Sequence, residues 1–279
     1  TNYNWFVKAV CSADDQSEWS SMSTFRTACE ALTLADLPYT EDFESYTSGY
    51  GNAISPCWTK STSYPYPYSY SAISGNMSLY FYSGLTYSAY SGETSTTESY
   101  AALPALAADL DITGLTLRFN AKHNNSSSYS SYTYTAKLNV GVMDDPADIS
   151  TFVPVQVVDL TSQPSNQVAE VEVNLASYTG SGRYVAFFAQ APEMVTSYNY
   201  NYIYVDDVEL IVTPDCQRPT GVTVQNVTSA TAEVSWTPAN ESDVNFVVTY
   251  GESDAQAADY TTVQATGTTV TLTGLAPMT

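Results

Sequence analysis

Apolar and polar residues alternate in short runs along most of this chain, and helical spacing is rare. Such runs cover Met77–Tyr82, Leu115–Ala121, Ala136–Met143, Val153–Leu160, Val168–Leu175, Tyr184–Gln190 and Tyr202–Val212. A period of two sends one side of each strand into a core and the other toward solvent. Further strands are expected at Tyr3–Val10, around Phe25, and at Pro219–Val224, Thr231–Trp236, Asn245–Tyr250 and Thr268–Leu272. Leu103–Leu110 is the one stretch that could form a short helix. The pattern predicts an all-β protein.

The strands group into three stretches. Residues 29–213 hold about the strand number of a two-sheet jelly roll. Residues 1–28 contribute two strands and residues 214–279 four more. Laying Thr279 on Thr1 gives Leu275-Ala276-Pro277-Met278-Thr-Asn2-Tyr3, followed by an alternating strand. That is the turn into the sixth strand of an immunoglobulin-like sandwich, where a tyrosine hydroxyl bonds back to upstream backbone. Tyr3 would be that corner residue. The two flanks are therefore expected to be the halves of one sandwich, split between the chain ends. Copies would join head to tail, either as a covalent tandem repeat or by strand complementation.

Charge narrows the partners. Eight Lys plus Arg against 29 Asp plus Glu give a net charge of −21, which disfavours nucleic acid and direct membrane insertion or adsorption. Charged residues make up only 13%, so this is not a disordered acidic tail. The four cysteines show no C-x-x-C spacing and there is one histidine, which argues against zinc. An even cysteine count favours disulfides and an oxidising, secreted or cell-surface location.

Several segments carry a family resemblance. "AVCSADDQSEWS" followed by "TFRT" resembles the last two strands of bacterial fibronectin type III modules, and "RPTGVTVQNVTSATAEVSW" resembles their start, with Trp236 as core tryptophan. The middle stretch contains "YTEDFE", "PCW", "SLYF", "VGVMDDPADISTFVPV", "YTGSGRYVAFFA" and "NYIYVDDVEL" in order. It is similar to the jelly-roll modules of Bacteroidetes surface proteins, of the cleaved-adhesin and choice-of-anchor type related to the MAM domain. The Tyr64–Tyr100 stretch departs from that pattern. The resemblance implies an extracellular structural and adhesive repeat of a long bacterial surface or filament protein. Its partners would be neighbouring copies, and glycans or host or bacterial surface proteins. The implied sandwich topology puts Cys11 and Cys216 at one pole, so that Cys11 pairs with Cys216 and Cys29 with Cys57.

Two constellations carry candidate chemistry. Asp42 and Glu44 lie at the first strand of the middle domain, and Asp206 and Asp207 lie in its last. First and last strands often pair in such folds, and carboxylates plus backbone carbonyls suit Ca²⁺. Val205 and Val208 both look buried, so the doublet between them marks a bulge that turns an acid inward. In related jelly rolls this position holds a structural calcium, which the resemblance extends to Glu44 and Asp206 or Asp207. The competing reading is a hydrogen-bonded acidic turn. "MDDPAD" (residues 143–148) reads as an Asx-type turn.

The second constellation is the tyrosines. Tyr64, Tyr66, Tyr68 and Tyr70 are spaced by two, and so are Tyr198, Tyr200, Tyr202 and Tyr204. In extended chain each set lines one face. Sugar stacking, protein contact and self-packing all remain open uses. No catalytic motif appears: His123 has no nearby acid or nucleophile pattern, and there is no G-x-S-x-G or phosphate loop. The expectation is a non-enzyme. The rival function is a carbohydrate-binding module of a secreted glycan-active protein.

Overall fold

The computed structural model describes residues 2–88, 93–124, 132–191, 198–252, 256 and 259–277. It divides into two compact units, Thr1–Val212 and Thr213–Thr279. In chain order the strands of the first are β1 (Asn2–Trp5), β2 (Ser23–Arg26), β3 (Tyr39–Glu41), β4 (Thr59–Lys60), β5 (Tyr66–Tyr68), β6 (Ser78–Ser88), β7 (Glu93–Thr97) and β8 (Ser99–Ala102). They continue with β9 (Leu115–Lys122), β10 (Tyr132–Thr135), β11 (Lys137–Met143), β12 (Val153–Asp159), β13 (Ala169–Asn174), β14 (Tyr184–Ala189) and β15 (Tyr198–Val212). The second unit holds β16 (Thr220–Gln225), β17 (Thr231–Thr237), β18 (Asn245–Tyr250), β19 (Thr261–Thr266) and β20 (Thr269–Thr273). Among the described residues only short 3₁₀ turns interrupt the strands, and no helix is long and apolar enough to cross a membrane.

Two sheets make the body of the first unit. One runs β13-β9-β15-β6-β5, with β3 and β10 also paired to β15 and β7 to β6; the other runs β12-β11-β14-β8-β4. Between them lies one core that includes Leu79, Phe81, Leu117, Phe119, Leu138, Val140, Val185, Ile203 and Leu210. Aromatics converge on Phe187: Phe119 and Phe81 meet it edge-on at 5.0 and 6.0 Å, and Trp58 stacks on it at 6.4 Å. Trp58 donates its indole N–H to the Tyr39 hydroxyl at 2.7 Å, so its one polar atom is satisfied. The Cys29–Cys57 disulfide forms, with Cα atoms 5.5 Å apart.

Leu103–Leu110 is not a helix. Its leucines recur at helical spacing, but Pro104 interrupts the run and the Leu103 and Leu106 N–H groups donate to the Val185 and Arg183 carbonyls instead. The segment buries its leucines as an irregular strap, with Leu106 bridged to Leu32. The first strand is also shorter than its apolar run: beyond Trp5 the Val7 and Ala9 carbonyls still accept from the Ser20 and Ser17 N–H groups, but the pairing is irregular and leaves an isolated bridge between Val10 and Gln16.

The hairpin of β1 and β2 stands as its own two-stranded sheet. Tyr3 stacks on Phe25 at 5.2 Å, yet Tyr3, Trp5, Phe6 and Phe25 are each 47–53% exposed. In the second unit β16-β17-β20 form one sheet and β18-β19 another. Trp236 is buried between them, edge-on to Phe246 at 5.2 Å, but its indole nitrogen has no hydrogen-bond partner. The strand β19 was not expected, since TTVQAT carries too few apolar side chains to register. Thr1, Met278 and Thr279, which carry the expected seam, lie outside the described residues. Within one copy Cys11 and Cys216 are exposed free thiols, and they belong to different units.

Candidate functional site

The strands β6 and β15 run antiparallel, with Tyr82 opposite Tyr202 and Tyr80 opposite Tyr204. Alternation sends Leu79, Phe81, Ile203 and Val205 into the core and the tyrosines to the opposite face of the same sheet. On the other side of β6, Tyr66 faces Tyr80 across β5. Three rows of tyrosine thus come to lie side by side. Gly84, opposite Tyr200, keeps the surface flat: a Cβ there would lie 2.6 Å from the Tyr82 hydroxyl and 3.3 Å from the Tyr200 ring.

Tyr80 is the hub. Tyr66, Tyr68, Tyr64, Tyr202 and Tyr204 all lie with ring centroids 5.0–6.2 Å from it. Tyr82 continues the contact to Tyr64, Tyr200 and Tyr202 at 5.0–6.1 Å. Tyr50 caps Tyr64 and Tyr66 edge-on, and Tyr70 leans on Tyr68. Tyr66, Tyr80 and Tyr204 are buried; Tyr64, Tyr68, Tyr82, Tyr200 and Tyr202 are half-buried; Tyr50 and Tyr70 are exposed. The side chain of Tyr198 lies outside the described residues. Both expected rows therefore sit on one continuous face, to which Tyr50, Tyr80 and Tyr82 also belong. Tyr80 and Tyr82 share the same two-residue spacing, a signal overlooked beside the longer rows.

Burial raises the phenols. Desolvation, then the neighbouring phenols, pushes Tyr66 up to about 12. Desolvation with Tyr68 does the same to Tyr204, at about 12, against the Asn124 amide that donates to its oxygen at 2.8 Å. Tyr80 and Tyr82 are likewise held well above the ordinary phenol value. The face is consequently neutral, and no phenol oxygen on it is buried without a partner.

One end of the same face is an acidic clamp. The β9–β15 register slips between Asp206 and Glu209, and Asp207 adopts φ of +48°. The bulge was anticipated, but the burial of Asp206 has another source. Val205 and Val208 both point into the core, so Asp206 shares the tyrosine side, where the loop at residues 71–77 covers it. Its carboxylate accepts from the Ser74 N–H at 3.1 Å, the Ser78 hydroxyl at 2.8 Å and the Asp207 N–H at 2.9 Å. Burial nevertheless holds its pKa above the ordinary value.

Glu44 grips the same loop from the other side, accepting the Asn76 and Met77 N–H groups at 2.8 Å each, which holds its carboxyl below the usual range. Gly75, at φ +51°, allows that approach, because a Cβ would come within 2.4 Å of a Glu44 oxygen. Asp207 accepts from the Ser74 hydroxyl and the Asn120 amide, each at 3.0 Å. Three of the four nominated acids thus gather on one loop. Asp42 instead accepts the Glu44 N–H and shares with Asp207 an acidic cleft of about 430 Å³ that Glu41 and Glu209 also line.

The donors at the clamp are hard oxygens of the kind Ca²⁺ takes, from Glu44, Asp206, Asp207 and the Ser74 hydroxyl, and each of the three carboxylates already accepts hydrogen bonds within the protein. Among the described residues no three acidic, His or Cys side chains cluster closely enough to hold a metal alone.

The remaining candidates are structural. Asp145 and Asp148 cap turns by accepting the Ala147 and Ser150 N–H groups, each at 2.9 Å, as expected for that segment. His123 is buried, with Nε2 3.0 Å from the Gln163 carbonyl.

Comparison with known proteins gives a family for one part of the chain: residues 217–279 match the family model of the fibronectin type III domain. No curated protein matches the chain. Among solved structures, the chain is similar to the K3 cleaved adhesin domain of Lys-gingipain from Porphyromonas gingivalis, at 18% identity and a TM-score of 0.41, covering 62% of this chain and 96% of that one. It is also similar to carbohydrate-binding modules of the β-sandwich superfamily, at 16% identity and a TM-score of 0.37, covering 76% and 75%. A third is the CBM22-1–CBM22-2 tandem of Paenibacillus barcinonensis Xyn10C, at 12% identity and a TM-score of 0.37, covering 84% and 80%.

Proposed function

We propose that this chain is an extracellular, non-catalytic structural and adhesive module of a long bacterial surface or filament protein, joined head to tail through its two fibronectin type III pieces. The observation that carries the reading is a pair of unmatched strand sets. Among the described residues β18 pairs with β19 on one edge only, while β1 and β2 pair only with each other. In a sandwich of this type the sixth and seventh strands extend the sheet beside the third, the place β18 takes. A lone hairpin is marginal in water, and this one leaves Trp5 and Phe6 about half exposed. Docked on β18 of a neighbouring copy, it would cover them. The Cys29–Cys57 disulfide supports an oxidising location. Cys11 and Cys216, each free within one copy, would then meet across the joint. Calcium bound by Glu44, Asp206 and Asp207 would stiffen the jelly roll.

The test is a chain carrying two copies in tandem. It should show a cooperative melting transition that a single copy lacks, and a Cys11–Cys216 disulfide by mass spectrometry. A tandem that melts as two independent single copies, with both thiols free, sinks the reading.

The tyrosine face favours a second reading, a carbohydrate-binding module, because exposed tyrosine platforms offer both ring faces and hydroxyls.

A further inference from the structure

We propose that the tyrosine face of the larger sheet binds a neutral oligosaccharide, laid flat across Tyr64, Tyr82, Tyr200 and Tyr202. The proposal gives a ligand class to the second reading above and does not depend on head-to-tail joining.

The first argument is that the fold does not require this face to be aromatic. On the same side of the same sheet, β9 and β13 present Arg118, Asn120, Glu170 and Glu172, an ordinary solvated surface with an Arg118–Glu172 ion pair at 2.9 Å. Among the described side chains of this face's strands, the tyrosines lie on β5, β6 and β15. A contiguous, half-buried aromatic patch beside a solvated polar surface marks a contact site.

The second argument is preorganisation. Tyr80 is locked beneath its neighbours, and the Tyr80 and Tyr202 rings are 7° from parallel at 6.2 Å. The Tyr200 and Tyr202 rings are 26° from parallel at 5.9 Å. Interlocked rings lose little further freedom when a ligand arrives.

The chemistry of the surface selects the ligand. Phenol rings offer π faces to the C–H side of a pyranose, and their hydroxyls bond its rim oxygens. At neutral pH phenol hydroxyls are protonated and able to donate. Among the described residues the nearby cations are already engaged: the Lys122 ammonium is nearly buried and donates to the Ala72 carbonyl at 2.9 Å, and Arg118 pairs with Glu172. With a net charge of −21, the chain repels uronates and sulfated glycans. Protein interfaces also favour tyrosine, so protein contact is kept as an outcome of the test.

The test uses the whole chain against immobilised cello-, xylo-, manno- and galacto-oligosaccharides, with oligogalacturonate and heparin fragments as acidic controls. Any hit is then measured by calorimetry. At least one neutral series should bind and the acidic ones should not. Tyr82→Ala and Tyr202→Ala should each weaken binding roughly tenfold, the scale of one lost stacking contact, while Tyr202→Phe keeps the ring and most of the affinity. Near-ultraviolet circular dichroism confirms that each variant is folded. Tyr3→Ala, on the β1–β2 hairpin, should leave glycan binding unchanged, so this inference and the head-to-tail reading fail separately. Absence of neutral-glycan binding overturns the proposal, as does binding indifferent to both alanine variants. Self-association lost in Tyr202→Ala, in place of glycan binding, would assign the face to protein contact and overturn it too.

Discussion

Asp206 accepts a hydrogen bond from the Ser78 hydroxyl at 2.8 Å, and both residues are fully buried. This bond ties the last long strand of the jelly roll to the start of β6, beneath a loop that Glu44 grips from the other side. Removing the acceptor leaves the Ser78 O–H and the Ser74 N–H with no acceptor, although the Ser78 oxygen still takes the Ile73 N–H at 2.8 Å. Asp206→Ala should therefore destabilise the first unit by about 3 kcal/mol. Urea denaturation followed by circular dichroism checks this, and a change below about 1 kcal/mol would show that the clamp is dispensable.

The acid limb of the stability curve should report Glu44. Its folded pKa is lowered by the Met77 and Asn76 N–H groups. Its contribution is thus present above the unfolded carboxyl value and lost as pH falls through the folded one. Glu44→Gln should flatten the dependence of melting temperature on pH in that range, and an unaltered acid limb in the variant would contradict this.

The alkaline limb should report the tyrosine face. Tyr66 and Tyr204 titrate near 12 in the folded chain, against an ordinary value of 10.0. Raised groups contribute stability that is intact below the unfolded value and lost as pH rises through the folded one. Tyrosinate absorbance should accordingly show a late class of phenols, Tyr66 and Tyr204 among them, released together with unfolding. A single early titration of all phenols would mean the face is not packed as described.

The Cys29–Cys57 link closes a loop with a sequence separation of 28. Loop-closure entropy for that length corresponds to about 3.5 kcal/mol. Reduction, or the Cys29→Ser/Cys57→Ser double variant, should lower stability on that scale. A loss under about 1 kcal/mol would show the link to be redundant with the packing of Phe43 and Trp58 beside it.

The calcium proposed for the clamp is tested by chelation. EDTA should lower the melting temperature of the first unit and added Ca²⁺ should restore it, while Asp207→Asn removes the response. A melt indifferent to EDTA would leave the loop held by its hydrogen bonds alone.

The failures of the sequence reading were as physical as its successes. Leu103, Leu106 and Leu110 looked helical because spacing ignores what else can satisfy a backbone. The neighbouring β14 segment took the Leu103 and Leu106 N–H groups, and Pro104 removed another donor. The bulge at Asp206-Asp207 was legible because two valines flank it, but the cover over Asp206 was not. The covering loop is contributed by residues 71–77, far away in sequence.

Period-two alternation is a local property, so the chain by itself determined its strands, its all-β class and which side of each strand is apolar. It also determined that each tyrosine row would share a face. Only the tertiary structure decided that those faces are the same face, because strand neighbours are chosen by packing across long separations. Tyr66, Tyr80 and Tyr204 meet through the β5–β6–β15 order, and Asp206 meets Ser78 across a separation of 128 residues. Side-chain direction is written in the spacing of residues; adjacency is settled when the two sheets close over one core.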